Sequence, residues 1–236
     1  SDPQKFLDSI SQVFASLVHE TGSIAGVATT QKLSATEAAA VFQGTFNPVA
    51  NHWSGRVRKL PMPMPTNADE DDTTSTGATA PIWEAAERLT ARTTTVHADT
   101  SRNHGADRLI VVGPPVGQQG NQSATELKWH VLATGHKTAL NRSLSGAADT
   151  LGADRLSYIR GDRRKEQTRT DPTQPFRSRD MVLGSIVNAG LVFQGAPSTA
   201  LTGAGHAAFH AANKDRTAVI FAAANDGMLH AFANSD

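Results

Sequence analysis

The chain has no cysteine, which excludes disulfide staples and thiolate metal sites while fitting either redox compartment. It has no excess of either charge, because 22 Lys+Arg stand against 22 Asp+Glu. No net field therefore draws the whole protein to nucleic acid or to an anionic membrane. Aromatic residues are scarce at 6%, and the hydrophobic set reaches only 39%. With Ala, Thr, Gly, Ser and Asn abundant, this composition suits a loop-rich extracytoplasmic protein better than a compact cytosolic enzyme. No run approaches the roughly 18–20 apolar residues of a membrane span, and no signal-peptide pattern is present. The first residue is Ser1 rather than a methionine, so the sequence reads as an excised piece with any targeting signal upstream. Its 236 residues suffice for one large or two small domains with a buried core.

Catalytic patterns are equally scarce. A serine-hydrolase elbow needs G-x-S-x-G between a strand and a helix, and none is present. The glycines of "GPPVGQQGNQS" do not match a phosphate-binding fingerprint. His206 and His210 in "HAAFH" have the i, i+4 spacing of a helical metal pair, but no glutamate follows His206 as H-E-x-x-H requires. They read as two solvated histidines in a loop or short amphipathic turn. The other histidines are scattered without ligand spacing, so no catalytic, cofactor or metal residue is assigned.

What is present is a mainly β pattern with a few short helices. "SDPQKFLDSISQVFASLVHETG" (1–22) predicts a leading helix: Asp2 caps it, Pro3 starts it, and Phe6, Ile10, Val13, Phe14, Leu17 and Val18 keep helical spacing. Strand-like runs follow in "SIAGVATTQKL", "AAAVFQGTFNP" and "HWSGRVRKLPM" (23–62), an antiparallel meander in which Trp53-Ser54-Gly55 reads as a turn and Val57 and Leu60 anchor the next strand. Residues 61–81, proline-punctuated, acidic and Thr-rich, read as a disordered insertion. Its Asp69, Glu70, Asp71 and Asp72 lack the alternation and glycine turn of a calcium loop. Helices are expected near 82–91 and within 132–161, a buried strand over 107–115, and a strand pair or one bent strand over 181–195.

The last 19 residues, "AVIFAAANDGMLHAFANSD", read as a hairpin: Val219 to Ala222, a tight turn at Asn225-Asp226-Gly227, and Met228 to Phe232 in return. A hairpin needs a third strand or a packed face. Trp53 and Trp83, each at a strand or helix boundary beside apolar neighbours, are expected to fill core gaps. Residues 160–165, "RGDRRK", contain interleaved charges that read as internal ion pairs in a polar connector rather than as a phosphate patch, since aromatic stacking partners are sparse. Arg160-Gly161-Asp162 also spells the integrin-type adhesion tripeptide, which matters only on an exposed loop tip.

As a set, "ADRLSYIRGDRRKEQ", "FRSRDMVLGSIVNAGLVFQGAPS" and "DRTAVIFAAANDGMLHAFAN" resemble the PilY-type type IV pilus biogenesis proteins, also called pilus-tip adhesins. In that family an Arg-Gly-Asp segment and an F-R-x-R element lead into an L-G-D-I-V-N-S strand, and an Arg begins the strand that ends in G-A-N-D-G-M-L-H-A-F. Arg160, Gly161, Asp162, Phe176, Arg177, Arg179, Leu183, Gly184, Ile186, Val187, Asn188, Arg216 and Asn225 to Phe232 match. Ser185 replaces the usual Asp, Ala189 the usual Ser, and Ala223 the usual Gly.

The resemblance implies the first part of a modified β-propeller with quinoprotein-like blades over 23–236, preceded by a helix and an upstream domain. Asn225 and Asp226 would then adopt the dihedrals of a primed turn, Gly227 would supply positive φ, and Leu229 and Phe232 would pack between blades. It further implies a secreted, non-enzymatic pilus biogenesis factor and adhesin of the periplasm, outer membrane or pilus tip, involved in twitching motility. Its partners would be minor pilins, other pilus components and a host or abiotic surface ligand, with no nucleic acid and no membrane span. No cofactor is expected in this chain, and calcium belongs, if anywhere, to the parent. Two rivals stand beside this reading: the propeller of a quinone-dependent dehydrogenase, and an extracellular carbohydrate-binding module.

Overall fold

The computed structural model describes residues 23–29, 40–48, 53–61, 80–95, 108–115 and 123–235, with backbone only for 23–29 and 93–95. The leading helix expected over 1–22, the interior of the 61–81 insertion and its acidic cluster lie outside the described residues. The chain divides into two compact units, one formed by Ser1–Arg88 with Leu183–Asp236 and the other by Leu89–Val182.

The first unit holds two antiparallel sheets. β1 (Ser23–Thr29), β2 (Ala40–Asn47), β3 (Ser54–Pro61) and β4 (Trp83–Glu84) follow one another in sequence order, so the expected meander is present. Ser54 and Gly55, expected in a turn, instead open β3 and pair with Asn47 and Phe46. β2 is the strand buried on both faces: Ala40 to Thr45 are all buried. One face carries Phe42, Val57 and Trp83, and the other carries Val41, Gln43, Leu60 and Glu84, as the register requires.

β7 (Leu191–Gln194), β8 (Val219–Ala223) and β9 (Leu229–Ala233) form the second sheet, in that order. β7 supplies the third strand that the closing hairpin needs. Its inner face presents Leu191, Ile220, Ala222 and His230, all buried, and Phe193 stacks on Phe42 at 5.7 Å between ring centroids. Phe42 also meets Trp83 at 6.0 Å, so three aromatic rings bring the two sheets together. Trp83 is 5% exposed and fills the core as expected. Trp53 does not: it is 51% exposed and stacks on Phe46 at the start of β3.

α1 (Ala85–Thr95) runs on from β4. The Leu89–Val182 unit adds β5 (Val111–Val112) paired with β6 (Thr125–Glu126), α2 (Thr134–Leu140) and α3 (Gly152–Ile159). The buried strand expected over 107–115 shrinks to two residues, with Leu109 and Val111 exposed. Only Leu191–Gln194 of the 181–195 stretch is a strand. His206–Asn213, expected as loop or turn, forms α4, a helix without a buried residue. The described residues are thus mainly β with four short helices in small open sheets, and they do not close into a ring of blades.

Candidate functional site

The residues singled out by sequence gather at two places. The first is the hairpin junction in the first unit. Gly227 has φ 83, whereas Asn225 and Asp226 stay outside the positive-φ region. The loop is therefore not the expected primed turn. Gly227 N–H donates to the Ala224 carbonyl and Ala224 N–H to the Met228 carbonyl, the pattern of a three-residue hairpin loop with glycine in the left-handed position.

Asp226 organises this loop. One of its oxygens accepts from Met228 N–H at 3.0 Å, the other from Gly184 N–H at 3.1 Å, and His230 Nε2 lies 2.8 Å away. Burial pushes the Asp226 carboxyl up, but the hydrogen bond and charge of His230, with the two backbone N–H groups, outweigh it and hold the carboxyl below its usual range. Asn225 ties the loop to the preceding segment, its N–H donating to the Ser185 carbonyl at 2.9 Å and its amide to the Ser185 hydroxyl at 3.2 Å.

Ser185, which stands where the resemblance expects Asp, thus accepts from Asn225. Close approach dictates the two glycines here. A Cβ on Gly184 would meet Asp226 at 2.7 Å, and one on Gly55 would meet the Gly184 carbonyl oxygen at 2.1 Å. Of the two residues expected to pack between blades, Phe232 is half-buried on the inner face and Leu229 is 69% exposed.

The second place is a charged knot in the Leu89–Val182 unit. α3 ends at Ile159, and Gly161, just beyond the capping Arg160, has a φ of 111 that is open to glycine at low cost. The chain then doubles back, and Arg160, Gly161 and Asp162 are all buried. Arg160 Nη1 donates to the Leu127 carbonyl at 3.0 Å. Both oxygens of Asp162 accept from Arg164, the shortest bond being 2.7 Å from Nη2. An integrin-type role needs the tripeptide on an exposed tip; here it is an internal turn, and that reading is corrected.

Glu166 and Arg179 form the centre of the knot, with side chains 4% and 9% exposed. Arg179 sets Nε and Nη2 each 2.7 Å from Glu166 Oε1. Its Nη1 donates to the Tyr158 carbonyl and Nη2 to the Asp162 carbonyl. The guanidinium also lies 3.7 Å from the centre of the Tyr158 ring, whose neighbour is Phe176 at 4.8 Å. Arg163 adds a bond to Glu166 Oε2 and another to the Arg179 carbonyl. The basic run is therefore a set of internal ion pairs, as its interleaved acids suggest.

A cavity of about 300 Å³ beside the knot is lined by Tyr158, Phe176 and the pairs Asp154–Lys165 and Asp162–Arg164. Its charges are already matched, so an ionic ligand would have to displace an internal partner. On α4, His206 Nε2 lies 2.7 Å from the Ser198 carbonyl and the His206 and His210 rings are 6.4 Å apart. Among the described residues no group of three or more His, Cys, Asp or Glu is placed to hold a metal ion, and no helix is long and apolar enough to cross a membrane.

Comparison with known proteins points one way. The chain is 34% identical over 143 residues to the type IV pilus biogenesis factor PilY1 of Pseudomonas aeruginosa strain PAO1, a match covering 57% of this chain and 12% of that protein. It is 33% identical over a stretch of the same length to PilY1 of strain PAK. To the PilY1 homolog of Xylella fastidiosa strain Temecula1 it is 39% identical over 93 residues, 36% of this chain and 7% of that one. Over the aligned stretches this chain is similar to proteins named as type IV pilus biogenesis factor PilY1.

The aligned stretch spans about one eighth of the length of the Pseudomonas relatives. No family model and no solved structure matches the chain. Of the residues that carry the resemblance, Gly184, Asn225, Asp226, Gly227 and His230 meet at the hairpin junction, and Arg160, Gly161, Asp162, Phe176 and Arg179 meet at the knot. Sequence reading placed Gly55 in a turn rather than against Gly184, and it did not pair Glu166 with Arg179. The only local signal for the pair was an acid amid the basic run, and its partner stands 13 residues on.

Proposed function

We propose that this chain is part of a type IV pilus biogenesis factor and tip adhesin, acting outside the cytoplasm by protein binding and without chemistry of its own. The observation that carries the reading is the 33–39% identity to three proteins named for pilus biogenesis. The arrangement of its charges agrees with a scaffold: the arginines and acids of the knot bind one another rather than a reacting centre. Minor pilins are the partners this reading assigns.

The propeller reading has its own physical support. The outer face of β7–β9 carries Val192, Val219, Phe221, Ala223, Leu229, Ala231 and Ala233, brought to one side by the register. Val192 is 59% and Leu229 69% exposed. A sheet face of this kind is stable when another sheet covers it. A further blade, in a polypeptide as long as the relatives, is the cover we assign to it.

The test is recovery of the parent protein with pili. Pili sheared from the native host and purified should carry the parent protein together with minor pilins, detected by mass spectrometry. A pilus fraction free of it, with the protein abundant elsewhere in the cell, would overturn the proposal.

A further inference from the structure

β9 lies at the edge of the second sheet, with β8 on one side only. Ala224 N–H donates to the Met228 carbonyl, and Asn234 N–H donates to the Ala218 carbonyl. Given the register of β8 and β9, these two bonds fix the ladder between them. His230 and Phe232 exchange hydrogen bonds with Ala222 and Ile220, and the alternate residues do not. The backbone N–H and C=O groups of Leu229, Ala231 and Ala233 therefore point away from β8. Among the described residues no hydrogen bond takes them up, and all three residues are exposed.

Nothing guards this edge. Met228 to Ser235 contain no proline, lysine or arginine, and the register runs without a bulge from Leu229 to Ala233. Those are the devices that keep a free edge from pairing. The outward groups are also self-complementary. Laid antiparallel against the same edge of a second copy, Ala231 faces its own counterpart and Leu229 faces Ala233, each pair exchanging both N–H···O bonds. The small side chains of Ala231 and Ala233 leave the approach open.

Charge favours a second copy over an oppositely charged partner. A two-fold contact brings a charge near its axis against its own kind. β7, β8 and β9 contain no lysine, arginine, aspartate or glutamate. The Asp226 carboxylate in their loop is turned to Gly184 N–H and His230. We infer that β9 is a self-association edge, through which two copies of this chain join antiparallel about a two-fold axis at Ala231. Their two three-stranded sheets then run on as one. The joint uses the edge and leaves the outer face of β7–β9 free, so it stands independently of the pilus reading.

Sedimentation equilibrium of the whole chain over a concentration series tests this. The wild type should pass reversibly from 24.9 kDa to twice that mass. Ala231→Pro removes an outward N–H and leaves the bonds to β8 in place. It should weaken the dimer at least about tenfold, because both bonds at the axis are lost. Ala231→Lys and Ala231→Glu change an exposed position, so they decide the matter should the proline variant fail to fold. Each sets like charges opposite one another and should stay monomeric where the wild type pairs, and their equimolar mixture should dimerise again. A wild type that stays monomeric throughout would leave the edge to another polypeptide and overturn the inference. A dimer indifferent to all three substitutions, or a mixture of the charged variants that stays monomeric, would overturn it too.

Discussion

Arg179→Leu should lower the stability of the chain by about 3–5 kcal/mol, the cost of leaving a buried acid without its partner. Arg179 is the one side chain that reaches Glu166, the Tyr158 carbonyl, the Asp162 carbonyl and the Tyr158 ring at once. Removing it strands Glu166, 4% exposed, with Arg163 as its remaining charged neighbour. Arg179→Lys keeps the charge but not the planar fork, and should fall between wild type and Arg179→Leu. Replacing Glu166 by Leu together with Arg179 should recover part of the loss, because no stranded charge remains. Urea denaturation followed by circular dichroism reads the series. A loss below about 1 kcal/mol for Arg179→Leu would class the pair with solvated surface bridges and dismantle the knot.

Phe42→Ala should cost about 3–5 kcal/mol by opening a void where the two sheets of the first unit meet. The ring is fully buried and touches Trp83 of one sheet and Phe193 of the other. Trp53→Ala is the internal comparison. Although Trp is larger, Trp53 is half-exposed on Phe46, and its loss should cost only about 0.5–1.5 kcal/mol, the worth of one aromatic pair. Thermal melts of both variants distinguish them. Equal losses would mean that Phe42 is not the contact that joins the sheets.

Where the fold follows from local pattern, it was legible. The antiparallel meander of β1 to β3, the short helices near α1 and α3 and the closing hairpin were readable from spacing and turn residues. Length and exposure misled elsewhere. The run at 109–112 is apolar enough for a buried strand, yet Leu109 is 77% exposed. α4 is rich in Ala, the best helix former, but buries no residue, so it lacks the amphipathic spacing that announces a helix.

The site was the least legible part, because its contacts are distant in sequence. Gly55 looks like a turn glycine until Gly184 is placed against it. The Arg-Gly-Asp tripeptide looks like a surface motif until Leu127 and Arg164 are seen to bind its charges. Ion pairing within the basic run was readable from its interleaved acids. The depth of Glu166 and Arg179 was not, since burial depends on the whole unit.

If this chain serves pilus assembly as proposed, surface piliation depends on it. The amount of pilin on the cell surface tests that most directly, measured by immunoblot of sheared fractions from the native host. The parent gene would be deleted, then restored either intact or without the stretch encoding residues 183–235. Surface pilin should fall sharply in the deletion strain, return with the intact gene and stay low with the shortened one. Wild-type surface pilin in the deletion strain would contradict the account.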